Sequence, residues 1–254
     1  MALFMDGPVS RIEDLMGQDS QLSEVAGVEY IDVTRKLALA QDELGVELKA
    51  LLTRLNSTAQ PLWHTGQPKL ATVVVTPPLK MWHTFRALEM VYADAYNSQL
   101  NDRYAGKRDQ FHARAQWAYQ KLVEAGLGIA SDPIPRAPTP NVTAASGAMP
   151  DGTYYVTTAW INRAGEEGAS AVPAVITIAS SSLSVRAGNA PPNATGWKVY
   201  LGGSAEAMVQ QNSLPIAIGD TWVQPNTIVA AGPVPGSGQE PNYLRPAPRV
   251  IQRG

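Results

Sequence analysis

Cysteine is absent from the 254 residues of the chain. Its absence excludes a disulfide-stapled scaffold, a thiolate zinc site and a cysteine nucleophile. Histidine is scarce, since His64, His83 and His112 are the only three. None of them lies three or four residues from another, which is the spacing that a helical metal site uses. We therefore predict no metal and no cofactor, and expect packing or partners to stabilise the fold.

Long apolar runs and the common catalytic motifs are also absent. The longest uncharged apolar runs, such as 70–79, are too short and too proline-marked to cross a bilayer. Acidic residues at Asp6, Glu13 and Asp14 argue against an export signal. The nucleophile elbow, the HExxH zinc motif, the P-loop and the strand-borne GxGxxG fingerprint do not occur. These absences predict a soluble protein that is not an enzyme and does not associate with membranes.

Charge is nearly balanced along the chain. Residues 1–130 carry 13 Lys and Arg against 15 Asp and Glu, and residues 131–254 carry 7 against 7. A protein that holds nucleic acid regardless of sequence needs an excess of cations to neutralise the phosphates. The balance therefore predicts no stable grip on nucleic acid.

The composition changes character near residue 130, which predicts an α+β multidomain fold. Apolar residues recur at helical spacing before this point and alternate after it. The predicted domains are an N-terminal small α-helical bundle over 1–130, a proline-rich extended linker over 131–140, an antiparallel β-sandwich over 141–232 and an extended tail over 233–254. The tail has too few apolar residues to pack and too many prolines to pair in a sheet.

The bundle begins with a short and a long predicted helix. Ser10 is the predicted N-cap of a helix that ends near Gly17, with Glu13 completing a capping box. The longer helix starts at Asp32 or Thr34. Its apolar stripe consists of six leucines, Leu37, Leu44, Leu48, Leu51, Leu52 and Leu55.

Two further helices complete the bundle. Thr76 is the predicted N-cap of a helix over 77–101, whose first position is a proline that needs no N–H. The last helix runs over 103–125 and ends at Gly126. The GLG at 126–128 follows a helix, so it offers phosphate only the negative end of the helix dipole.

Seven strands are predicted after the linker, because short segments recur about every ten residues between turn-forming residues. They are PNVTAAS, GTYYVTTAWIN, AVPAVITIA, SLSVRAG, GWKVYLGG, AMVQQN and DTWVQ. Trp160, Trp197 and Trp222 lie in three of these strands. Their apolar neighbours two residues away favour a core position. The alternative is an exposed aromatic row that stacks on sugar rings.

The helical sequence resembles a known family. GVEYIDVTRKLALAQDELGVELKALL and YNSQLNDRYAGKRDQFHARAQWAYQKLVEAGLGI are similar to the head-to-tail adaptor proteins of long-tailed bacteriophages and phage-like particles. The resemblance spans residues 1 to about 130. It implies a structural virion protein that forms a homo-oligomeric ring of about twelve copies in the phage neck. It also implies contacts with the portal protein and a tail-side neck or stopper protein, DNA that passes through the lumen without specific binding, and synthesis in the host cytoplasm.

The second half is similar to the fibronectin type III and immunoglobulin-like sandwiches that decorate phage structural proteins. The segments that carry this similarity are YYVTTAWINRAGEEGASAVPAVITI and PPNATGWKVYLGG. The similarity implies decoration or weak glycan contact. The alternative function is therefore a glycan-binding or adhesion protein that uses the sandwich aromatics.

Two sets of residues are candidates for contacts with partners. The first consists of aromatic residues that are more numerous than a bundle of this size is expected to bury: Trp82, Phe85, Tyr92, Tyr96, Tyr104, Trp117 and Tyr119. The second belongs to the tail and consists of Tyr243, Arg245, Arg249 and Arg253. An extended tail with these side chains is suited to a partner's sheet edge or groove.

Overall fold

The computed structural model describes residues 2–58, 68–99, 102–236 and 239–245. The architecture is α+β, with helices in the N-terminal half and antiparallel sheets forming a sandwich after them, as predicted.

Two compact units make up the chain, and each is built from two stretches of sequence. The helical unit comprises Gly7–Ser131 and Pro241–Gly254, and the sandwich unit comprises Met1–Asp6 and Asp132–Glu240. The chain passes from the helical unit to the sandwich unit after Ser131, whereas the predicted helical domain ends at residue 130. The units differ from the predicted domains at both ends of the chain, where the first six residues group with the sandwich and the last stretch groups with the helices.

Five α-helices lie within the described part of the helical unit. They are α1 (Ile12–Met16), α2 (Leu22–Val28), α3 (Val33–Thr58), α4 (Pro77–Gln99) and α5 (Ala105–Ala125), with short 3-10 turns at Leu70–Thr72 and Asp102–Tyr104. The sequence does not predict α2, because its only buried side chains, Leu22 and Val25, are too few to establish a period. No helix in the described ranges has the length and apolarity needed to cross a membrane.

The start of α1 differs from the prediction, because Ser10 does not cap it. The Ser10 hydroxyl lies 2.8 Å from the Thr84 hydroxyl in α4. The backbone N–H of Arg11 donates to the Asp14 carboxylate at 2.9 Å, which ties the first turn together instead. Ser10 therefore joins α1 to α4 through tertiary contact.

The long helices begin in two different ways. Asp32 caps α3 as predicted, because its carboxylate accepts from the Arg35 N–H at 3.0 Å. The Thr76 side chain does not cap α4, and its hydroxyl is buried without a partner among the described residues. Pro77 and Pro78 occupy the first two helical positions and have no N–H, which leaves only the Leu79 N–H for a capping side chain, and the Thr76 hydroxyl does not bond to it.

Apolar and aromatic side chains fill the interior of the helical unit. The six leucines of the α3 stripe are all buried. The predicted face of α5 is buried too, and consists of Phe111, Ala115, Ala118 and Leu122. Phe111 also stacks on two rings of α4, with centroid separations of 5.6 Å to Tyr92 and 6.5 Å to Phe85. The predicted helical periodicity is thus confirmed by burial.

A small sheet closes the helical unit. β1 (Leu127–Ile129) follows α5 and pairs antiparallel with β9 (Asn242–Leu244). On its other side, β1 bonds to the 72–74 segment, where the Val74 N–H donates to the Gly128 carbonyl. The prediction that the tail cannot pair is wrong, because the three residues of β9 lie between prolines and keep their own N–H groups.

Glycines at 126 and 128 allow β9 to approach. Gly126 ends α5 as predicted, with φ of +99°, and a Cβ there would lie 2.9 Å from the Leu244 carbonyl oxygen. A Cβ on Gly128 would lie 2.6 Å from the Thr76 methyl and 3.0 Å from the Pro241 ring. The GLG sequence therefore serves both as a helix stop and as a space for the returning strand.

All seven predicted strands occur in the sandwich unit. They are β2 (Asn141–Ala145), β3 (Gly152–Ile161), β4 (Ala174–Ile178), β5 (Ser182–Arg186), β6 (Gly196–Gly202), β7 (Val209–Gln210) and β8 (Trp222–Val223). One sheet has the order β2-β5-β8 and the other β4-β3-β6-β7, with antiparallel pairing throughout. Between the two hairpins of the larger sheet, the chain passes through β5 of the smaller one.

Tryptophans lie between these two sheets. Trp160 and Trp197 are fully buried, and Trp222 is partly buried against the same core. The Trp197 indole N–H is satisfied by the Ala217 carbonyl at 3.1 Å. The predicted core position is confirmed, so the three rings do not form an exposed row.

Residues 132–140 belong to the sandwich unit, which differs from their predicted role as a linker. The Ile134 side chain is fully buried in the sandwich core, together with that of Ala137. The Ile134 N–H donates to the Gln239 side-chain oxygen at 2.8 Å, and the Gln239 amide donates to the Asp132 carbonyl at 2.7 Å. The apolar residues between the prolines therefore anchor this segment.

Candidate interaction surface

Four of the predicted interface aromatics lie inside the helical unit. Trp82, Phe85, Tyr92 and Tyr104 are all at most 8% exposed. The expectation that the bundle cannot bury them is wrong, because the rings of α4 pack against rings of α5 and of the turn before it. Side chains in this position are not available to a partner on the folded chain.

The other three helical candidates differ in exposure. Trp117 is 47% exposed on α5. Tyr119 is half-buried, and its ring centroid lies 4.9 Å from that of Trp82. The half-buried ring of Tyr96 lies 4.5 Å below the Arg108 guanidinium. Trp117 is therefore the most accessible of the seven.

The tail candidates are only partly described. Tyr243 is 47% exposed on β9. Arg245 donates from Nε to the Ala125 carbonyl at 3.1 Å, so it caps the C-terminal end of α5, where a cation complements the helix dipole. Arg249 and Arg253 lie outside the described residues.

A charged groove of about 480 Å³ lies between α3, α4 and α5. Its centre is the Arg86 guanidinium, which lies 2.7 Å from carboxylate oxygens of both Glu43 and Glu89. Burial lowers the pKa of Arg86, but the bonds to the two glutamates outweigh burial and raise the pKa above its usual value. These charges hold α3 against α4 at the groove.

His112 extends this network without offering a free nitrogen. Its Nδ1 lies 2.8 Å from the Glu89 carboxylate, and its Nε2 lies 2.7 Å from the Gln116 amide nitrogen. The neutral tautomer with the proton on Nδ1 satisfies both bonds. Among the described residues, no group of three or more His, Asp or Glu is arranged to hold a metal ion. The groove therefore offers paired charge, with both imidazole nitrogens already in use.

A second groove is mostly apolar. This apolar groove has a volume of about 340 Å³ and lies between α1 and the first turns of α3. Its walls include Pro8, Ile12, Leu37 and Ala38, and its rim carries Arg11 and Glu13. The Ile12 side chain is more than a third exposed here, so the groove presents apolar surface to solvent.

One side chain of α3 fixes the shape of the apolar groove. The Gln41 side-chain oxygen Oε1 accepts from the Val9 N–H at 3.2 Å, and its side-chain nitrogen Nε2 donates to the Gly7 carbonyl at 3.0 Å. These bonds hold the 7–9 segment against α3. The groove is therefore preformed, which favours binding.

The turn between α2 and α3 presents an unusual tyrosine. Tyr30 is 95% exposed, and its φ of +53° lies in the left-handed region. This conformation costs a residue other than glycine about 1 kcal/mol. The Ile31 N–H donates to the Ala26 carbonyl at 2.9 Å, the bond of a helix ending in which glycine usually occupies the position of Tyr30.

Hydrogen bonds from neighbouring elements hold this turn in place. The Glu29 carboxylate accepts from the Ser98 hydroxyl at 2.7 Å and from the Tyr104 hydroxyl at 3.1 Å. Ser98 belongs to α4, and Tyr104 to the turn before α5. The backbone that carries Tyr30 is therefore held in one position by its neighbours.

Sequence reasoning missed both Tyr30 and the apolar groove. A signal for Tyr30 exists, because a large aromatic residue two positions before the cap residue Asp32 occupies a turn where Gly or Asn is expected. The apolar groove has no such signal. Ile12 and Ala38 are far apart in the sequence, and only packing brings them together.

The exposed features of the helical unit are thus a strained aromatic side chain, an apolar groove, a charged groove and the half-exposed Trp117. Such features are suited to binding another protein surface. Comparison of the chain with protein-family models, with curated proteins and with solved structures finds no match.

Proposed function

We propose that the chain is a non-enzymatic structural subunit of the bacteriophage neck, where it forms a ring between portal and tail components. The ring contains about twelve copies, and DNA passes through its lumen. The helical unit supplies the ring contacts, and the sandwich unit serves as decoration. The portal protein and a tail-side neck protein are the partners within the virion.

One observation carries this proposal. The two segments that resemble head-to-tail adaptors, 27–52 and 96–129, make up most of α3 and all of α5 and β1. They fold within the same compact unit. The exposed aromatics Tyr30 and Trp117 lie in these segments. Resemblance and exposed contact chemistry therefore coincide in one part of the molecule.

The charge balance supports passage of DNA without a stable grip. A lumen lined by excess Lys and Arg would hold the duplex through release of counterions. The 13 cationic and 15 anionic side chains of residues 1–130 give no such excess. Nanomolar, salt-sensitive binding of duplex DNA by the purified chain would contradict this part of the proposal.

The glycan-binding alternative lacks the feature on which it was based. Trp160 and Trp197 are in the sandwich core, and Trp222 packs against it. A sugar platform needs exposed ring faces, so these residues do not supply one.

Two measurements test the proposal. Native mass spectrometry and negative-stain microscopy of the full chain should show closed rings with one dominant copy number. Antibody against the chain should label purified particles at the head–tail junction. A chain that stays monomeric at every concentration, or labelling confined to the capsid surface or the tail tip, would contradict the proposal.

A further inference from the structure

We infer that Tyr30 of one copy of this chain inserts into the apolar groove of a second copy. This inference rests on the self-assembly in the proposed function and names a contact through which the copies associate. Both partners in the contact are described residues of the helical unit.

The Tyr30 ring contributes almost nothing to the packing of its own fold. Its side chain is almost fully exposed, and its backbone adopts a conformation that glycine would adopt without strain. Strain that the fold does not need is characteristic of functional positions. The one other described non-glycine residue with positive φ is Ser180 in the sandwich, whose side chain is small and whose N–H donates to Asp151.

The turn presents the ring in a way that favours binding. The Glu29 carboxylate accepts two hydrogen bonds, and the Ile31–Ala26 bond closes the end of α2. A side chain whose backbone is already ordered loses less conformational freedom on association. Tyrosine is also among the residues that contribute most to interfaces, and the exposed Val28 adds apolar surface to the same turn.

The apolar groove matches a tyrosine side chain in chemistry and in size. Pro8, Ile12, Leu37 and Ala38 would contact the faces of the ring. At the rim, the Glu13 carboxylate can accept the phenolic hydrogen, and the Arg11 guanidinium can lie over the ring. A volume of about 340 Å³ suits a single inserted side chain better than a whole helix.

The occupant is a second copy because every copy carries both halves of the contact. Each helical unit carries both Tyr30 and the apolar groove with Glu13 and Arg11 at its rim. The same contact can therefore repeat from copy to copy. A residue of a different protein, or the tyrosine of the same copy, would leave self-association unaffected by substitutions at either place. The experiment separates these cases.

Sedimentation velocity of the full chain over a concentration series tests the inference. Tyr30→Gly should raise the concentration at the midpoint of assembly by about 30-fold or more, the effect of removing one strong interface residue. At a concentration where both chains are monomeric, its thermal midpoint should equal or exceed that of the parent chain, because backbone strain is relieved. Ala38→Trp, which fills the apolar groove, should raise the assembly midpoint by a similar factor.

Matched controls isolate the contact. Ser180→Gly relieves the same kind of backbone strain in the sandwich and should leave assembly unchanged. Ala113→Trp places the same large ring on an exposed position of α5, away from the apolar groove, and should shift the midpoint much less than Ala38→Trp.

A mixing experiment is decisive. Tyr30→Gly keeps its groove and Ala38→Trp keeps its tyrosine, so an equimolar mixture should form one-to-one dimers through one intact contact, at a concentration where each variant alone is monomeric. A mixture that remains unassociated overturns the inference, as does a Tyr30→Gly chain that assembles like the parent. A Tyr30→Gly chain that assembles like the parent contradicts only this contact and leaves the proposed ring in place. A parent chain that never self-associates overturns both.

Discussion

The helical and sandwich units place their aromatic residues differently. Among the described residues, the large aromatic side chains that are well exposed are Tyr30, Trp117 and Tyr243, and all three belong to the helical unit. The exposed large apolar side chains described in the sandwich unit are not aromatic, while Trp160 and Trp197 are buried. The comparison indicates that aromatic residues stabilise the interior of the sandwich but are also available for contact on the helical unit.

The units also differ in how they bury charge. In the helical unit, the buried Asp19 carboxylate accepts from the Tyr92 hydroxyl at 2.6 Å and from the Lys107 ammonium at 2.9 Å. In the sandwich unit, Glu167 is buried beside Lys198, whose ammonium lies 3.2 Å away. The Asp19 network joins three separate elements, so we expect the helical unit to depend more on its charges and the sandwich on its apolar core.

The largest expected effect is loss of a core ring from the sandwich. Trp197→Ala should lower the free energy of unfolding of that unit by about 3 to 5 kcal/mol, because it creates a large cavity. Calorimetry of the full chain should show one transition moving to lower temperature while the helical signal in circular dichroism is retained. The exposed Trp117→Ala should change stability by less than about 0.5 kcal/mol. Equal losses in the two variants would contradict the comparison.

A smaller loss should follow from breaking the charged network of the helical unit. Asp19→Ala removes the acceptor from Tyr92 and Lys107 and should cost about 2 to 3 kcal/mol. Thermal unfolding followed by helical circular dichroism measures the change. Glu124→Ala is the matched control, since its ion pair with Lys121 on α5 is exposed and should contribute less than about 1 kcal/mol. Equal effects would show that burial of Asp19 adds nothing.

The Gln239 side chain tests how firmly residues 132–140 are held. Gln239→Ala leaves the buried Ile134 N–H without its acceptor and should destabilise the sandwich unit by about 1 to 2 kcal/mol. The calorimetric transition of that unit reports the change. Gln210→Ala, on the half-buried β7, is a control that should cost less. No change on substitution of Gln239 would mean that the hydrogen bond to Ile134 does not help to hold the segment, which would then depend on the burial of Ile134 and Ala137 alone.

The smallest effect is a pH dependence of the helical unit, which contains the buried His83. Burial lowers the pKa of His83 below its ordinary 6.5, although the Leu37 carbonyl and the Asp14 charge oppose the shift. The unfolded chain then binds the proton more readily. The stabilising contribution is complete above pH 6.5 and is lost as pH falls from there through the lowered pKa of the folded state.

Thermal unfolding between about pH 7.5 and about pH 5.5 measures this dependence, with a slope of at most about 1.4 kcal/mol per pH unit. His83→Gln should remove the slope. Asp14 and Asp19 do not interfere, because their pKa values are lowered from 3.8 and their contributions are lost only at lower pH. A sandwich transition that moves equally over this range would contradict the assignment to His83.

Local patterns were enough to predict most elements of the fold. The leucine spacing of α3, the prolines at the start of α4 and the alternation of β3 are properties of neighbouring residues, and each predicted the right structure. The tryptophans were assigned to the core from their neighbours two positions away. Such signals are short in range and need no knowledge of the rest of the chain.

Features that depend on distant contacts were not predicted. The pairing of β9 requires the glycines at 126 and 128, and the burial of Ile134 requires Gln239 from more than 100 residues later. Stacking between α4 and α5 buried aromatic rings that composition alone suggested were in excess. The apolar groove likewise forms only when α1 meets α3. Sequence reasoning therefore found the elements but not the surfaces between them.

The pairing of β1 with β9 has a consequence for synthesis on the ribosome. Leu127 pairs with Leu244, so the edge of β1 has to wait for more than 100 further residues to be translated. At ordinary elongation rates this delay is roughly 6 to 20 s, far longer than a helix needs to form. The helices that emerge first thus belong to the unit that is completed last. During that interval an open strand edge is exposed to chaperones and to neighbouring nascent chains, and Arg245 is not yet present to cap α5.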